Sequence, residues 1–109
     1  METKSHFIAE LSYLSTENGG RNTAAKSGYR PQVEFDFTEK QTSGIQKFIG
    51  KDEVKPGEKV LAEITVLSPK FFENKLEVGM EFKFNEGSKI IGTGKVIEIQ
   101  NQSLQKASS

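Results

Sequence analysis

Both arginines of this 109-residue sequence lie in one segment, residues 18–32, that contains no aspartate or glutamate. The segment reads NGGRNTAAKSGYRPQ, and Arg21, Lys26 and Arg30 give it a local charge of +3. Guanidinium and ammonium groups bind phosphate oxygens, and glycine-rich backbone lets a phosphate approach closely. These residue types therefore indicate contact with a polyanion, in particular with a nucleic-acid backbone.

Residues that would catalyse a reaction or hold a metal ion are few. The chain has no cysteine and one histidine, His6, so it offers no thiolate ligand and no pair of imidazoles. A lone imidazole near the N-terminus is more often a strand residue than a catalytic base. Most carboxylates fall on the polar positions of alternating segments, where they are solvated by default. We therefore expect no enzyme activity, no metal site and no cofactor.

The sequence also lacks a nucleotide-binding loop. Gly87 and Gly92 have the glycine spacing of a Walker-type phosphate loop, but Thr93 follows where that motif requires lysine. The pair Gly92 and Gly94 lies inside a segment of strand character and not at a strand-to-helix turn. The sequence therefore predicts neither nucleotide binding nor GTP hydrolysis.

Six segments show apolar residues at period two, and none has the period of a helix. They are HFIAELSYL, VEFDF, GIQKFI, KVLAEITVL, VGMEFKF and KIIGTGKVIEI. Lys55-Pro56-Gly57 predicts a tight turn before the fourth segment. Gly92 and Gly94 suggest a bulge or bend in the sixth segment. Such short strands separated by turns predict an all-β fold, either a small antiparallel barrel or a sandwich.

The predicted core lies on one face of each strand. In the first segment we expect alternate residues from Phe7 to Tyr13 to point inward. In the fifth segment the inward residues are Val78, Met80, Phe82 and Phe84. The closest approach to a helix is SPKFFENKLE, residues 68–77, which predicts a loop with one helical turn. Beyond Ile99 the sequence has little to bury, which predicts a flexible tail.

Composition gives no general attraction to nucleic acid, because 15 lysines and arginines are balanced by 15 aspartates and glutamates. Nucleic-acid-binding domains are commonly strongly basic. No apolar run approaches the roughly 20 residues that span a bilayer, and the start METKSHF lacks the apolar stretch of a signal peptide. We therefore expect a cytoplasmic protein without a membrane partner.

Four motifs in series resemble the C-terminal β-barrel domain of the translation GTPase elongation factor Tu. They are Gly19-Gly20-Arg21-Asn22-Thr23, Gly28-Tyr29-Arg30-Pro31-Gln32, Val54-Lys55-Pro56-Gly57, and Glu86-Gly87 running through Gly92, Gly94 and Val96. Their order and approximate spacing match along residues 6–99. The resemblance implies a single six-stranded antiparallel β-barrel of Greek-key type over residues 1–99, occurring as a stand-alone protein, with a flexible tail over residues 100–109.

The resemblance also implies a binding surface. In the resembled domain, the stretch from the GGR motif through GYRPQ meets the T stem of aminoacyl-tRNA, with help from the Glu86-Gly87 segment. The candidate residues for binding RNA or another partner are therefore Arg21, Asn22, Lys26, Arg30, Gln32, Gly87 and Lys89. The implied function is a non-enzymatic, translation-associated module that binds tRNA or ribosomal RNA.

Departures from the family pattern leave a second hypothesis open. Asn22 stands where the family usually has histidine, and Thr23-Ala24-Ala25 replaces a stretch with proline and aromatic residues. The alternative function is a protein–protein interaction module that uses the family's interdomain surface to bind a translation-related protein. The GYRPQ motif also has a purely structural interpretation, in which Tyr29 packs on the barrel rim and Arg30 pairs with a neighbouring carboxylate such as Glu34.

Overall fold

The computed structural model describes residues 5–37 and 42–106. Within these ranges the chain forms eight β-strands and three 3-10 helices, and no α-helix. The strands are β1 Phe7–Tyr13, β2 Ala25–Lys26, β3 Gln32–Glu34, β4 Thr42–Phe48, β5 Glu53–Val54, β6 Lys59–Val66, β7 Glu81–Glu86 and β8 Lys89–Ile99. The 3-10 helices are η1 Thr16–Asn18, η2 Pro69–Phe72 and η3 Gln102–Leu104.

Six of the strands close into a barrel in the order β1-β6-β4-β3-β7-β8, with every neighbouring pair antiparallel. These are the six strands that the alternating pattern predicts. In the barrel β3, β4 and β6 are neighbours in chain order, and β6 lies beside the first strand, β1. This is a Greek-key arrangement. The predicted six-stranded antiparallel Greek-key-type barrel is confirmed. The turn expected between the second and third predicted strands falls mainly on residues 38–41, outside the described ranges.

Phenylalanine rings fill one part of the barrel interior. Phe35 and Phe82 stack with their ring centroids 4.7 Å apart, and Phe7 meets both rings edge-on at 6.2 and 5.9 Å. The inward face of β1 is buried as predicted from Phe7 to Tyr13. Aromatic pairs in these geometries add to the free energy gained by burial. Because the chain has no disulfide, this packing and the strand hydrogen bonds hold the fold together.

Gly92 and Gly94 make room for the rings of the neighbouring strand. Gly92 lies opposite Phe84 and Gly94 opposite Phe82 in the β7–β8 pairing. A Cβ atom on Gly92 would lie 2.2 Å from Phe84 Cζ, and one on Gly94 would lie 2.3 Å from Phe82 Cζ. Glycine is therefore required at both positions by close packing, a reason that the sequence pattern alone does not reveal.

The irregularities of β8 lie beside the glycines and not on them. The β7–β8 register shifts between Phe84 and Asn85, which leaves Ile91 as the extra residue, and the β1–β8 register shifts so that Ile97 is extra. The bulge predicted from Gly92 is thus at its neighbour Ile91, and Gly94 has none. Both shifts keep β8 curved as it closes the barrel.

One predicted strand begins later in the structure than the sequence pattern indicates. Val78, expected to point inward, is 63% exposed, because β7 begins only at Glu81 and Gly79 before it has a left-handed backbone with φ +94°. The loop with one helical turn predicted over residues 68–77 is present as η2. Its Phe72 is buried, whereas Phe71 is half-buried.

The described part of the predicted tail packs against the barrel. In residues 100–106, η3 buries Leu104. At the parallel bridge between Leu76 and Gln105, Leu76 N–H donates to Leu104 O at 2.8 Å and Leu76 O accepts from Lys106 N–H at 2.7 Å. The sequence predicts little burial here because Leu104 is a single apolar residue without periodicity. Residues 1–4 of the predicted barrel and 107–109 of the predicted tail lie outside the described residues. No helix in the described ranges has the length and apolar character needed to cross a bilayer.

His6 joins the beginning of β1 to the end of β6. Its Nδ1 accepts a hydrogen bond from the Val66 backbone N–H at 3.0 Å, and its backbone oxygen accepts bonds from Gln100 and Asn101. Burial lowers the pKa of His6 from its ordinary value of 6.5. The hydrogen bond also requires an unprotonated Nδ1, so geometry and burial both favour the neutral ring.

We predict that Gly92→Ala destabilises the fold by about 1 to 3 kcal/mol, since the added methyl group overlaps the Phe84 ring. Chemical denaturation measures the effect. Thr93→Ala, on the exposed face of the same strand, serves as the control and should change stability by less than about 0.5 kcal/mol. The shorter side chain in Phe84→Leu should reduce the cost of Gly92→Ala. Equal costs in both backgrounds would contradict this account.

We predict that the free energy of unfolding falls as the pH drops below the ordinary His pKa of 6.5. The folded chain binds a proton at His6 less readily than the unfolded chain does, because its His6 pKa is lower. Stability therefore rises with pH across this window. Urea denaturation at about pH 7.5 and about pH 5.5 tests this. His6→Gln should be less stable near neutral pH and less dependent on pH. An unchanged pH dependence in that variant would show that His6 is not responsible.

Candidate nucleic-acid interface

All seven candidate residues lie at one end of the barrel. We call this the loop end, where β1, β4 and β7 end and β3, β6 and β8 begin. The segments that meet there are residues 14–32, 49–59 and 86–89. The candidates in these segments are Arg21, Asn22, Lys26, Arg30, Gln32, Gly87 and Lys89. Because neighbouring strands are antiparallel, the chain topology alone gathers residues up to 68 positions apart.

Gly19 and Gly20 in the first motif are each required for a different structural reason. Ser15 caps η1 by accepting a hydrogen bond from Asn18 N–H, and Gly19 ends the helix with φ +94°, a conformation that favours glycine. At Gly20 an added Cβ would lie 2.0 Å from the Leu14 carbonyl oxygen. The two glycines therefore fold the chain back tightly, and Arg21 leaves this turn toward the barrel rim.

A two-stranded ribbon that the sequence analysis missed holds the middle of this segment. β2 pairs with β5, with Ala25 opposite Val54 and Lys26 opposite Glu53. Ala25 and Val54 are both buried. Strands of two residues are too short for a periodic signal, so only these isolated apolar residues within polar loops hint at them. The ribbon fixes Lys26 at the surface of the loop end.

Two tight turns position the flanking candidates. Tyr29 N–H bonds to Lys26 O at 3.0 Å, with Gly28 at φ +97° in the third position of the turn. Between β7 and β8, Gly87 occupies the first position of a two-residue connection with φ +59°, as in a type II′ hairpin. Its carbonyl oxygen accepts a bond from Asn85 Nδ2 at 2.6 Å. The predicted turn at Lys55-Pro56-Gly57 is present, closed by Glu58 N–H on Lys55 O at 3.0 Å.

Arg21 is held inside a network of neighbours. Its Nη1 forms an ion pair with Glu86 Oε2, and its guanidinium carbon lies 4.6 Å from the centre of the Tyr29 ring. Its Nε and Nη2 donate to the backbone oxygen and the hydroxyl of Thr23, both at 3.3 Å. The Arg21 side chain is 19% exposed and that of Glu86 41%. Arg21 is thus partly covered and paired with a carboxylate.

Two tyrosines extend the network into the barrel. Tyr29 donates its hydroxyl to Glu86 Oε2, and Tyr13 donates to Oε1 of the buried Gln46. Burial raises the pKa of both phenols, and for Tyr29 the hydrogen bond to Glu86 raises it further. Gln46 Nε2 and Asn85 Oδ1 are buried here without a hydrogen-bond partner among the described residues. The loop end therefore carries polar side chains next to the apolar interior of the barrel.

The other charged candidates are free at the surface. Lys26, Arg30 and Lys89 are exposed, and none forms an ion pair with any described residue. In particular, Arg30 does not pair with Glu34, so that part of the structural interpretation is wrong. Tyr29 does pack on the barrel rim as that interpretation supposes. Asn22 and Gln32 are also exposed.

The loop end is more positive than the rest of the molecule. Its three segments contain seven lysines and arginines and five aspartates and glutamates, whereas the whole chain is neutral. Within residues 5–37 and 42–106 no three histidine, aspartate or glutamate side chains lie close enough together to hold a metal ion. The arrangement can therefore attract an anion but offers no assembled metal centre within these ranges.

A family model for the elongation factor Tu C-terminal domain matches residues 1–100. The chain belongs to this family. The match includes all six barrel strands and every candidate residue at the loop end. The family is a non-catalytic barrel domain of a translation factor, and this identity agrees with the observed fold and with the absence of a Walker-type motif from the sequence.

We predict that neither tyrosine of the folded protein ionises near the ordinary phenol pKa of 10.0, since both pKa values are raised. Ultraviolet absorbance of tyrosinate during an alkaline titration tests this. The unfolded chain releases these protons near pH 10, so stability should fall as the pH rises past that value. The protein in denaturant is the control and should titrate normally. A folded protein that shows a normal tyrosinate transition would contradict the burial and hydrogen bonding described for Tyr13 and Tyr29.

Proposed function

We propose that this elongation factor Tu C-terminal domain is a non-enzymatic module that binds the phosphate backbone of structured RNA, tRNA or ribosomal RNA, at its loop end. The observation that carries the proposal is the set of three exposed and unpaired cations, Lys26, Arg30 and Lys89, beside the motifs of the family. In an A-form duplex the backbone and 2′-hydroxyl groups are read by shape, which needs few base contacts. A cytoplasmic location beside the translation apparatus fits this role.

The candidates divide into three kinds of contact. Lys26, Arg30 and Lys89 supply charge for phosphate oxygens, and their exposure means that little must be rearranged for contact. The amides of Asn22 and Gln32 donate hydrogen bonds to phosphate or sugar oxygens. Gly87 lacks a side chain at the tip of the β7–β8 hairpin, which permits close approach of the RNA backbone.

The interaction is expected to be weak and sensitive to salt. Three cations release about three condensed counterions, so the logarithm of affinity should fall with the logarithm of salt concentration at a slope of roughly −2 to −3. The neutral chain adds no long-range attraction. Binding by this surface alone should therefore be measurable at low ionic strength and nearly lost in concentrated salt.

We predict that the triple variant Lys26→Gln, Arg30→Gln and Lys89→Gln loses most of its binding to bulk tRNA and has a salt slope close to zero. Fluorescence anisotropy across a salt series measures both quantities. The matched control changes Lys70, Lys75 and Lys106 to glutamine at the opposite end of the barrel, with the same loss of charge. Equal losses in the two variants would indicate general charge attraction and contradict a localised site.

The alternative function is a protein–protein interaction module that binds a translation-related protein. Exposed apolar side chains on the outer face of the barrel favour it. Ile49 and Leu61 are cross-strand neighbours, joined by a 2.8 Å backbone hydrogen bond, and each is 43% exposed. Binding through such a surface would depend little on salt. A chain that fails to bind tRNA at low salt would support this alternative.

A further inference from the structure

We infer that the Glu86 carboxylate masks Arg21, so that an RNA phosphate must displace Glu86 before the guanidinium can take part in binding. The inference rests on the proposed function and concerns the regulation of the same surface. It separates Arg21 from Lys26, Arg30 and Lys89, which are exposed and form no ion pair with any described residue.

The guanidinium is positioned for an anion, and the anion it meets is part of the same chain. The Tyr29 ring covers one face, and Thr23 accepts from Nε and Nη2. Nη1 points to Glu86. A carboxylate and a phosphate both accept charge-assisted hydrogen bonds from a guanidinium. Glu86 therefore occupies the position that a phosphate oxygen would take.

Glu86 is also able to leave this position. Its side chain is 41% exposed, and it stands at the end of β7 beside the hairpin turn at Gly87. An ion pair at such an exposed position is weak, since water and salt screen both charges. The arginine also has contacts that do not involve Glu86 directly, because its guanidinium lies over the Tyr29 ring and its Nε and Nη2 donate to Thr23. Removal of the carboxylate should thus leave a guanidinium already in place.

Glu86 is held by a second hydrogen bond besides its ion pair with Arg21. Tyr29 donates its hydroxyl to the same Glu86 oxygen that pairs with Arg21. A phosphate that replaced Glu86 could accept from both donors in the same way. The masked site is therefore a pair of preoriented donors, one charged and one neutral, and Glu86 satisfies both in the absence of RNA.

The test compares Glu86→Gln with the natural chain for binding to bulk tRNA and to a short RNA duplex across a salt series. Unmasking adds one phosphate contact, so the salt slope should become steeper by about 0.9. At low salt the affinity should rise about fivefold or more, the gain expected for one charge-assisted contact. Circular dichroism and thermal unfolding verify that the variant is folded.

Glu17→Gln is the matched control, because Glu17 is an exposed carboxylate in η1 at the same end of the barrel and has no ion pair with Arg21. It removes the same charge without unmasking. The gain of Glu86→Gln must exceed that of Glu17→Gln, and adding Arg21→Gln to Glu86→Gln must abolish the excess. This dependence on Arg21 distinguishes unmasking from the loss of a repulsive charge.

The outcomes separate the inference from the proposed function. If the natural chain binds RNA but Glu86→Gln binds no better than Glu17→Gln, the masking inference is overturned and the proposed function stands. If Glu86→Gln binds and the natural chain does not, masking is supported and the natural chain is not an RNA-binding protein by itself. If none of the variants binds RNA at low salt, both are overturned.

Discussion

Closure of the sheet between β1 and β8 is the constraint on which the rest of the structure depends. A chain of this length has a modest core, and without disulfides it relies on backbone pairing and packed side chains. Joining the first strand to the last leaves no long unpaired edge in the barrel. Closure also requires β8 to curve, and it does so at two bulges while its glycines admit the rings of Phe82 and Phe84.

The closed barrel is the scaffold that positions the loops of the loop end. Because the strands alternate in direction, the loops after β1, β4 and β7 all lie at the same end of the barrel. Their closeness follows from the topology and needs no contact between the loops. Short local devices then fix their shapes: the cap at Ser15, the β2–β5 ribbon, and glycines with a left-handed backbone. As a result Lys26, Arg30 and Lys89 are exposed on well-defined backbone, whereas Arg21 contacts Glu86, Tyr29 and Thr23.

The sequence was sufficient to predict the barrel because its signals are repeated. Six alternating segments and the motifs of the elongation factor Tu C-terminal domain family agree on the same fold. The ribbon of β2 and β5 was not predictable, since a strand of two residues has no period. The burial of Leu104 was missed for the same reason. The burial of Val78 was predicted wrongly because alternation was extended across Gly79, where the backbone changes conformation.

The candidate site shows a different limit of sequence analysis. The residues that come together at the loop end could be proposed from their types and from the resemblance to the family. Their pairing could not, because Arg21 and Glu86 are 65 positions apart and meet only through the closed topology. A charge counted along the sequence is thus not the charge that a ligand meets. The same argument explains the failure of the nearby pair of Arg30 and Glu34, whose closeness in sequence does not bring their side chains together.

The packing of the C-terminal segment has a practical consequence for handling this protein. Ser5, two residues before β1, and Lys106, two residues after Leu104, both lie at the end of the barrel opposite the loop end. A fluorophore or surface tether attached at position 5 or 106 would therefore leave the loop end unobstructed. Removing residues 100–106 to shorten the polypeptide would instead uncover the apolar contact that Leu104 makes beside Leu76, and should promote aggregation.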